Sequence, residues 1–148
     1  MAAIIVGPTN WQSTAVEEQQ VQTASLGDQI LTGGYLICRS GGGTAWIVAP
    51  LSTEVSRTWY YIDDAVITAN ANAPFGDWFV PTCGQLKNPG YTCRTYWDTQ
   101  FTPASDTYWS STQYDSNNAW GVDFDFGPAR DCLKSDAWCV RAFRCISY

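Results

Sequence analysis

The chain has 148 residues, a net charge of −6 and 15% aromatic side chains, with eight Trp and no His. An acidic balance without a basic patch argues against nucleic-acid binding, and no apolar run reaches the roughly 20 residues of a membrane span. The lack of His removes Ser-His-Asp and Cys-His catalysis, and His-ligated zinc or iron with them.

One domain is expected at this length. Abundant aromatics, frequent Gly and Pro, and scarce Leu and Met favour short strands and structured loops over a helical bundle. Residues 1–27 differ from the rest. The start, MAAIIVGPTNWQ, lacks the basic region of a secretory signal, and its apolar run stops at Gly7-Pro8. Ala2 to Val6 has the composition of one short strand. Residues 10–25 are rich in Gln, Thr, Ser and Glu, with Val16 and Val21 the main aliphatic positions. The segment 1–27 reads as an extended arm that gains order by docking elsewhere, or else as a loose terminus. Residues 28–148 make up the domain.

Within that domain, Ile30, Leu31, Tyr35, Leu36 and Ile37 precede a turn at Arg39-Ser-Gly-Gly-Gly-Thr44, and AWIVA resumes the strand. This predicts a hairpin. Residues 59–72 predict a helix, because Ile62, Ala65, Val66 and Ala69 fall at i, i+3, i+4 and i+7. Asp63 and Asp64 suit its first turn. Thr82 with Gln85 three residues later is a capping box, so a short helix starts there and stops at Asn88-Pro-Gly90. The stretch 91–108 is polar and aromatic without periodicity, and reads as a long structured loop.

Residues 108–148 read as three strands. Tyr108 to Thr112 are strand formers, and Asp115, Ser116, Asn117 and Asn118 are turn formers. From 120 to 126, Trp120, Val122, Phe124 and Phe126 alternate with Gly121, Asp123 and Asp125, the period of a half-buried strand. Gly127 and Pro128 end it. Residues 138–146 are the third run. Trp109 and Trp120 are expected to stack in one core. If Arg141 is buried it needs acids or carbonyls, and Asp77, Asp123 and Asp125 are the candidates.

The six Cys, at 38, 83, 93, 132, 139 and 145, admit 15 pairings. Cys83 with Cys93 and Cys132 with Cys139 are candidate local bridges; reduced core thiols are the other reading. Cys139 and Cys145 share parity on one predicted strand, about 20 Å apart, and cannot pair.

Three motifs line up in order. Gly76-Asp77-Trp78-Phe79-Val80-Pro81-Thr82 with Gln85-Leu86 resembles "dWRLPT…EL". Tyr108-Trp109-Ser110-Ser111-Thr112 with Asn118-Ala119-Trp120 resembles "YWSST…A W". Val140-Arg141-Ala142-Phe143-Arg144 resembles "VRAVR". Gly33-Gly34-Tyr35 and Trp46 to Pro50 resemble the same family's opening hairpin. The family is the domain found at the C-terminus of the Lcl collagen-like adhesin, also called the major paralogous domain. Over about residues 30–148 the resemblance implies an α+β, C-type-lectin-like fold, related to formylglycine-generating enzymes and found in bacterial surface and phage virion proteins. One departure stands out. Phe79-Val80 replaces the "RL", so a usually charged position is apolar.

The resemblance brings two chemistries into view, and the paired carboxylates a third. Calcium is one: Asp115, Asn117, Asn118 and Asp123 have oxygens to offer, but the Glu-Pro-Asn, Gln-Pro-Asp and Trp-Asn-Asp motifs of sugar-binding lectins are absent, and a polar turn explains the four equally well. Copper oxidation is the second. It needs a close Cys pair, which Cys139 and Cys145 cannot form if they share a strand. Asp123 and Asp125, about 7 Å apart on one strand face, have a glycosidase-like separation, although a solvated strand side explains them better. Loop aromatics remain. Tyr91, Tyr96, Trp97, Tyr108 and Tyr114 sit in or beside loops, where an apolar face beside hydrogen-bonding groups suits sugars and proteins.

The expectation is therefore a non-enzymatic phage virion protein, in a capsid decoration, tail fibre or baseplate, without a cofactor. Its arm attaches it to other virion proteins, and it forms a homo-oligomer. Its candidate ligand-binding residues, for a host surface glycan or protein, are Tyr91, Tyr96, Trp97, Tyr114, Asp115, Asn117 and Asn118. A bacterial cell-surface adhesin module is the alternative, and a formylglycine-generating-type oxidase the remote one.

Overall fold

The computed structural model describes residues 17–30, 33–72, 77–101 and 106–148. Residues 1–16, which include the strand expected at Ala2 to Val6, lie outside the described residues. The architecture is α+β, mostly sheet with a few short helices. The strands are β1 (Tyr35–Ser40), β2 (Thr44–Val48), β3 (Val55–Thr58), β4 (Thr107–Gln113), β5 (Asn118–Asp123), β6 (Ala129–Leu133), β7 (Ala137–Val140) and β8 (Phe143–Ser147). The helices are α1 (17–23), α2 (Asp64–Asn72) and α3 (Cys83–Gln85). One sheet has the order β1-β2-β8, the other β3-β7-β4-β5-β6. Pairing is antiparallel except where β4 meets β7 at Tyr108 and Cys139.

The predicted hairpin forms as β1 and β2. Its turn needs Gly43, whose φ of 78° is left-handed and whose position leaves a side chain only 2.7 Å from Tyr148 O. Both faces of the first sheet are buried, so its apolar residues run consecutively instead of alternating. Leu36, Ala45, Ile47 and Ile146 face one cluster with Val21, Ala69 and Trp78. Ile37, Val48 and Phe143 face the opposite cluster, where Tyr108, Val122 and Phe124 of the second sheet meet them.

The predicted apolar face serves two cores, although only α2, Asp64–Asn72, of the expected 59–72 is α-helical and Ile62 lies just before it. Ala69 packs in the first cluster, while Ile62 and Ala65 join Trp109, Ala119 and Val140 beside the second sheet. A tight turn at Trp59–Tyr61 precedes it. The capping box at Thr82 forms: Gln85 N donates to Thr82 Oγ1 at 3.2 Å and Thr82 N to Gln85 Oε1 at 2.9 Å. The chain does not stop at 88–90. It continues through a wide turn, Leu86–Tyr91, with a cis Asn88–Pro89 bond and a kink at Asn88.

Four expectations are corrected. The described part of the arm, residues 17–27, is a helix and turn docked on the domain. Val21 is fully buried, and Arg39 donates to the carbonyls of Val21 (2.6 Å) and Ala24. A fully buried Val contributes about 1.5–3 kcal/mol, so this segment belongs to the core. Few apolar residues were needed, because Glu17 meets the buried Arg144 and the carbonyls of Val21 and Ala24 meet the half-buried Arg39.

The alternation from 120 to 126 also breaks. Asp123 Oδ1 accepts from Asp125 N (2.8 Å) and Phe126 N (3.3 Å), which turns the chain. β5 therefore ends at Asp123, Phe124 goes into the core, and Phe126 is 78% exposed. The polar break after it holds β6, whose exposed charged side chains conceal it from a pattern search.

The third run is two strands, not one. β7 pairs with β3 and β8 with β2, so the chain crosses between sheets at Arg141 and Ala142. Finally, Trp109 is buried in the third cluster, whereas Trp120 is half-buried and stands edge-on to Tyr114, centroids 5.1 Å apart.

Candidate functional site

The segment 86–101 is the longest structured connection among the described residues, and one side chain organises it. Arg141 is 1% exposed and spends all five N–H groups. Nε and Nη2 donate to Glu54 Oε1 (3.2 and 2.9 Å), Nη1 to Asp98 Oδ1 (2.7 Å) and Ala49 O (3.1 Å), and Nη2 also to Thr99 Oγ1 (2.7 Å). Asp98 closes the loop on its other side by accepting from Leu51 N at 2.7 Å. Burial opposes the guanidinium charge, but Tyr108, Glu54 and Asp98 outweigh it, and the pKa lies above its ordinary value.

Trp97, next to Asp98, fills the space below. Its ring lies 5.1–5.6 Å from those of Phe101, Tyr108, Phe124 and Phe143, and the Arg141 guanidinium sits 5.1 Å from its centroid. Such edge and tilted contacts each contribute about 0.5–1.5 kcal/mol beyond burial. Trp97 therefore anchors the loop from inside.

Above this anchor the loop surrounds an open groove of about 420 Å³, lined by Arg94, Thr95, Thr99, Gln100 and Phe101. A smaller pocket of about 180 Å³ shares Thr99, Gln100 and Phe101 and adds Glu54, Asp106, Tyr108 and Cys139. Tyr108 donates its phenolic hydrogen to Glu54. Burial raises the Tyr108 phenol strongly, Arg141 opposes that shift, and Glu54 reinforces it. Cys139 donates to Asp106 Oδ2 at 3.5 Å; burial, then Glu54 and Asp106, raise its thiol. A protonated thiol and phenol among carboxylates are hydrogen-bonding groups, not nucleophiles at neutral pH. The arrangement can bind; among the described residues it presents no nucleophile beside a base.

The predicted site residues divide into two groups. Tyr91 and Tyr96 belong to the loop. Tyr91 is half-buried, edge-on to Phe124 at 5.4 Å, with the Arg94 guanidinium 3.9 Å over its ring. Its other side rests on Gly127, where φ is 98° and any side chain would meet the ring at 2.6 Å. Tyr96 is 38% exposed and lies over Gly27. Trp97 is 5% exposed and belongs to the core, which corrects the expectation that it contacts a ligand. Tyr108, at 3% exposed, is core as well.

Tyr114, Asp115, Asn117 and Asn118 sit at the other end of β4, whose seven residues span about 20 Å. Here Asp115 Oδ1 accepts from Asn117 N (2.8 Å), Asn118 N (2.7 Å) and Asn118 Nδ2 (3.0 Å). These bonds, the Asn117 one first, hold its carboxyl below the ordinary range. Asp123 lies at the far end of β5, bonded to Arg130 at 3.2 Å. The four oxygens considered for calcium are thus not gathered. Among the described residues, no three His, Cys, Asp or Glu are grouped to hold a metal ion.

Arg141's expected partners are corrected too. Asp77 serves Arg144, and Asp123 serves Arg130. The true acids, Glu54 and Asp98, lie far away in sequence, and strand parity carries no information about them. Arg94, Thr95, Thr99, Gln100 and Phe101 were missed as groove residues because a loop has no period to read. All six thiols are free. Cys132 on β6 and Cys139 on β7 are three strand positions apart, about 14 Å, which excludes that bridge. Cys139 and Cys145 lie on different sheets.

The chain matches no known family model, and no curated protein is significantly similar to it. What fold and site define is an α+β scaffold of two sheets that holds up a loop with an open polar groove.

Proposed function

We propose that this is a non-enzymatic phage virion protein that displays a C-type-lectin-like domain and binds a host surface glycan or protein through the groove of the 86–101 loop. The observation that carries the reading is that groove, an open space of about 420 Å³ with Phe101 beside Arg94, Thr95, Thr99 and Gln100. Aromatic area next to fixed donors and acceptors recognises a sugar ring or a peptide, as loop-borne sites do on rigid scaffolds. The lectin-like reading is further supported by the first hairpin and the last strand sharing one sheet, which closes the domain and leaves the central loop free for recognition. Attachment to other virion proteins, in a homo-oligomer, is assigned to the segment preceding α1.

The test is a host-surface glycan array and a host-envelope protein pull-down, probed with the wild-type chain and with Thr95→Trp, which fills the groove. Binding by the wild type that Thr95→Trp removes is the expected result. Blank arrays and pull-downs, with and without calcium, would sink the ligand reading. Recovery of the protein with a cell envelope and never with intact virions would transfer it to the adhesin alternative.

A further inference from the structure

Cys38 on β1 and Cys93 in the groove segment are 55 positions apart in the chain, yet they pack against one cluster, where the Cys93 thiol helps to raise that of Cys38. Both pack in the cluster between the sheets, and the Arg94–Tyr96 turn that follows Cys93 rests against β1. None of the other thiols is placed in this way. Cys132 donates to the Arg130 carbonyl, Cys139 to Asp106, and Cys145 is exposed on β8. Cys83 shares the cluster, but its backbone is held to β4 through Thr112.

We propose that Cys38 and Cys93 are the site of a reversible disulfide that staples the groove segment to β1. In closing it, each thiol gives up its proton and the pair gives up two electrons. A small-molecule disulfide of the glutathione type accepts them by thiol–disulfide exchange and departs as two thiols. The sulfur–sulfur bond forms inside the apolar cluster. Burial first, then the facing Cys93, raises the Cys38 thiol, so closure quickens as the pH rises. The consequence is local. Residue 94 lines the groove, so the staple fixes one wall directly, whereas the Arg141 clamp grips the loop four to five residues further on. The pair stands independently of whether the groove binds a glycan.

The test is a redox titration of the full chain in mixtures of reduced and oxidised glutathione, with thiol blocking and tryptic mapping. Cleavage after Arg39, Arg57, Lys87, Arg94, Arg130, Lys134, Arg141 and Arg144 puts each cysteine on its own peptide. The expected product is peptide 1–39 linked to peptide 88–94, lower in mass than the two free thiol peptides by two hydrogens. It is absent from Cys38→Ser and retained in Cys83→Ser. A blocked, unlinked 88–94 at every ratio, or 88–94 linked to 58–87 or to any other peptide, overturns the assignment.

Discussion

Arg141 and Arg144 lie three residues apart at the end of the chain, and both are at most 2% exposed. They clamp different things. Arg144 meets Glu17, which is fully buried, through two bonds of 2.6 and 2.8 Å, and Asp77, whose side chain is half exposed, at 2.6 Å. Arg141 meets two carboxylates that keep 20% and 17% of their side-chain surface, next to an open pocket. The first clamp seals α1 to the first sheet and has no outlet to solvent at Glu17. The second holds a loop whose far side faces water. Similar chemistry thus serves closure in one place and display in the other. The difference lies at Glu17, which retains no water while Glu54 and Asp98 each keep some, because an unpaired buried charge costs far more than a hydrated one.

Removing α1 gives the largest effect. Deleting residues 1–27 takes Val21 from the core and Glu17 from Arg144, and the domain should lose its cooperative unfolding transition in urea. A truncated chain that still melts cooperatively near the wild-type midpoint would restore the view of this segment as a detachable arm. Arg144→Met should come next. It leaves Glu17 buried and alone, at a cost near the upper end of the 3–5 kcal/mol range, about 5 kcal/mol. Pairing it with Glu17→Met should recover most of that loss, since two apolar side chains replace the ion pair.

Arg141→Met should cost less, about 3 kcal/mol, because Glu54 can rehydrate through the pocket it lines and Asp98 keeps 17% of its side-chain surface. Its signature should be local. Amide exchange across residues 94–101 should accelerate, while the first sheet stays protected. Urea midpoints and exchange rates, measured side by side, decide the matter. An equal or larger loss than in Arg144→Met would show that both clamps are equally closed.

What was legible in the chain follows from these clamps. The hairpin, α2 and the Thr82 capping box were readable because local spacing and local hydrogen bonds determine them. The need of a buried Arg141 for acids was also readable. Its partners were not, because Glu54 and Asp98 are brought to it only by the path of β3 and the loop. The strands after 120 were misjudged where one side chain changes the backbone. Asp123 turns the chain, so Phe126, apolar and correctly phased, ends in water. β6 was missed since an edge strand with charged side chains has no apolar face to reveal it. Loop aromatics were counted as surface because composition alone cannot distinguish Trp97, which anchors a loop, from Tyr114, which is 52% exposed.

The smallest effect belongs to the turn at the far end of β4, which is held by neither clamp. Asp115 supplies its carboxylate bonds, to Asn117 and Asn118, which favour the ionised form, while Lys134 holds the Ser116 and Asn117 carbonyls. Asp115→Asn keeps an acceptor oxygen and removes only the charge. Since the folded-state pKa is depressed, the charge contributes above the unfolded-state value and is lost as the pH falls through the folded one. The stability difference between wild type and Asp115→Asn should therefore be complete at neutral pH. It should vanish on acidification below the ordinary Asp range, as followed by paired urea titrations. Amide resonances of residues 94–101 should not move in the variant, because β4 separates the two loops by about 20 Å. Movement there would show that the turn and the groove are one site after all, and that the seven candidate residues had been grouped correctly from the start.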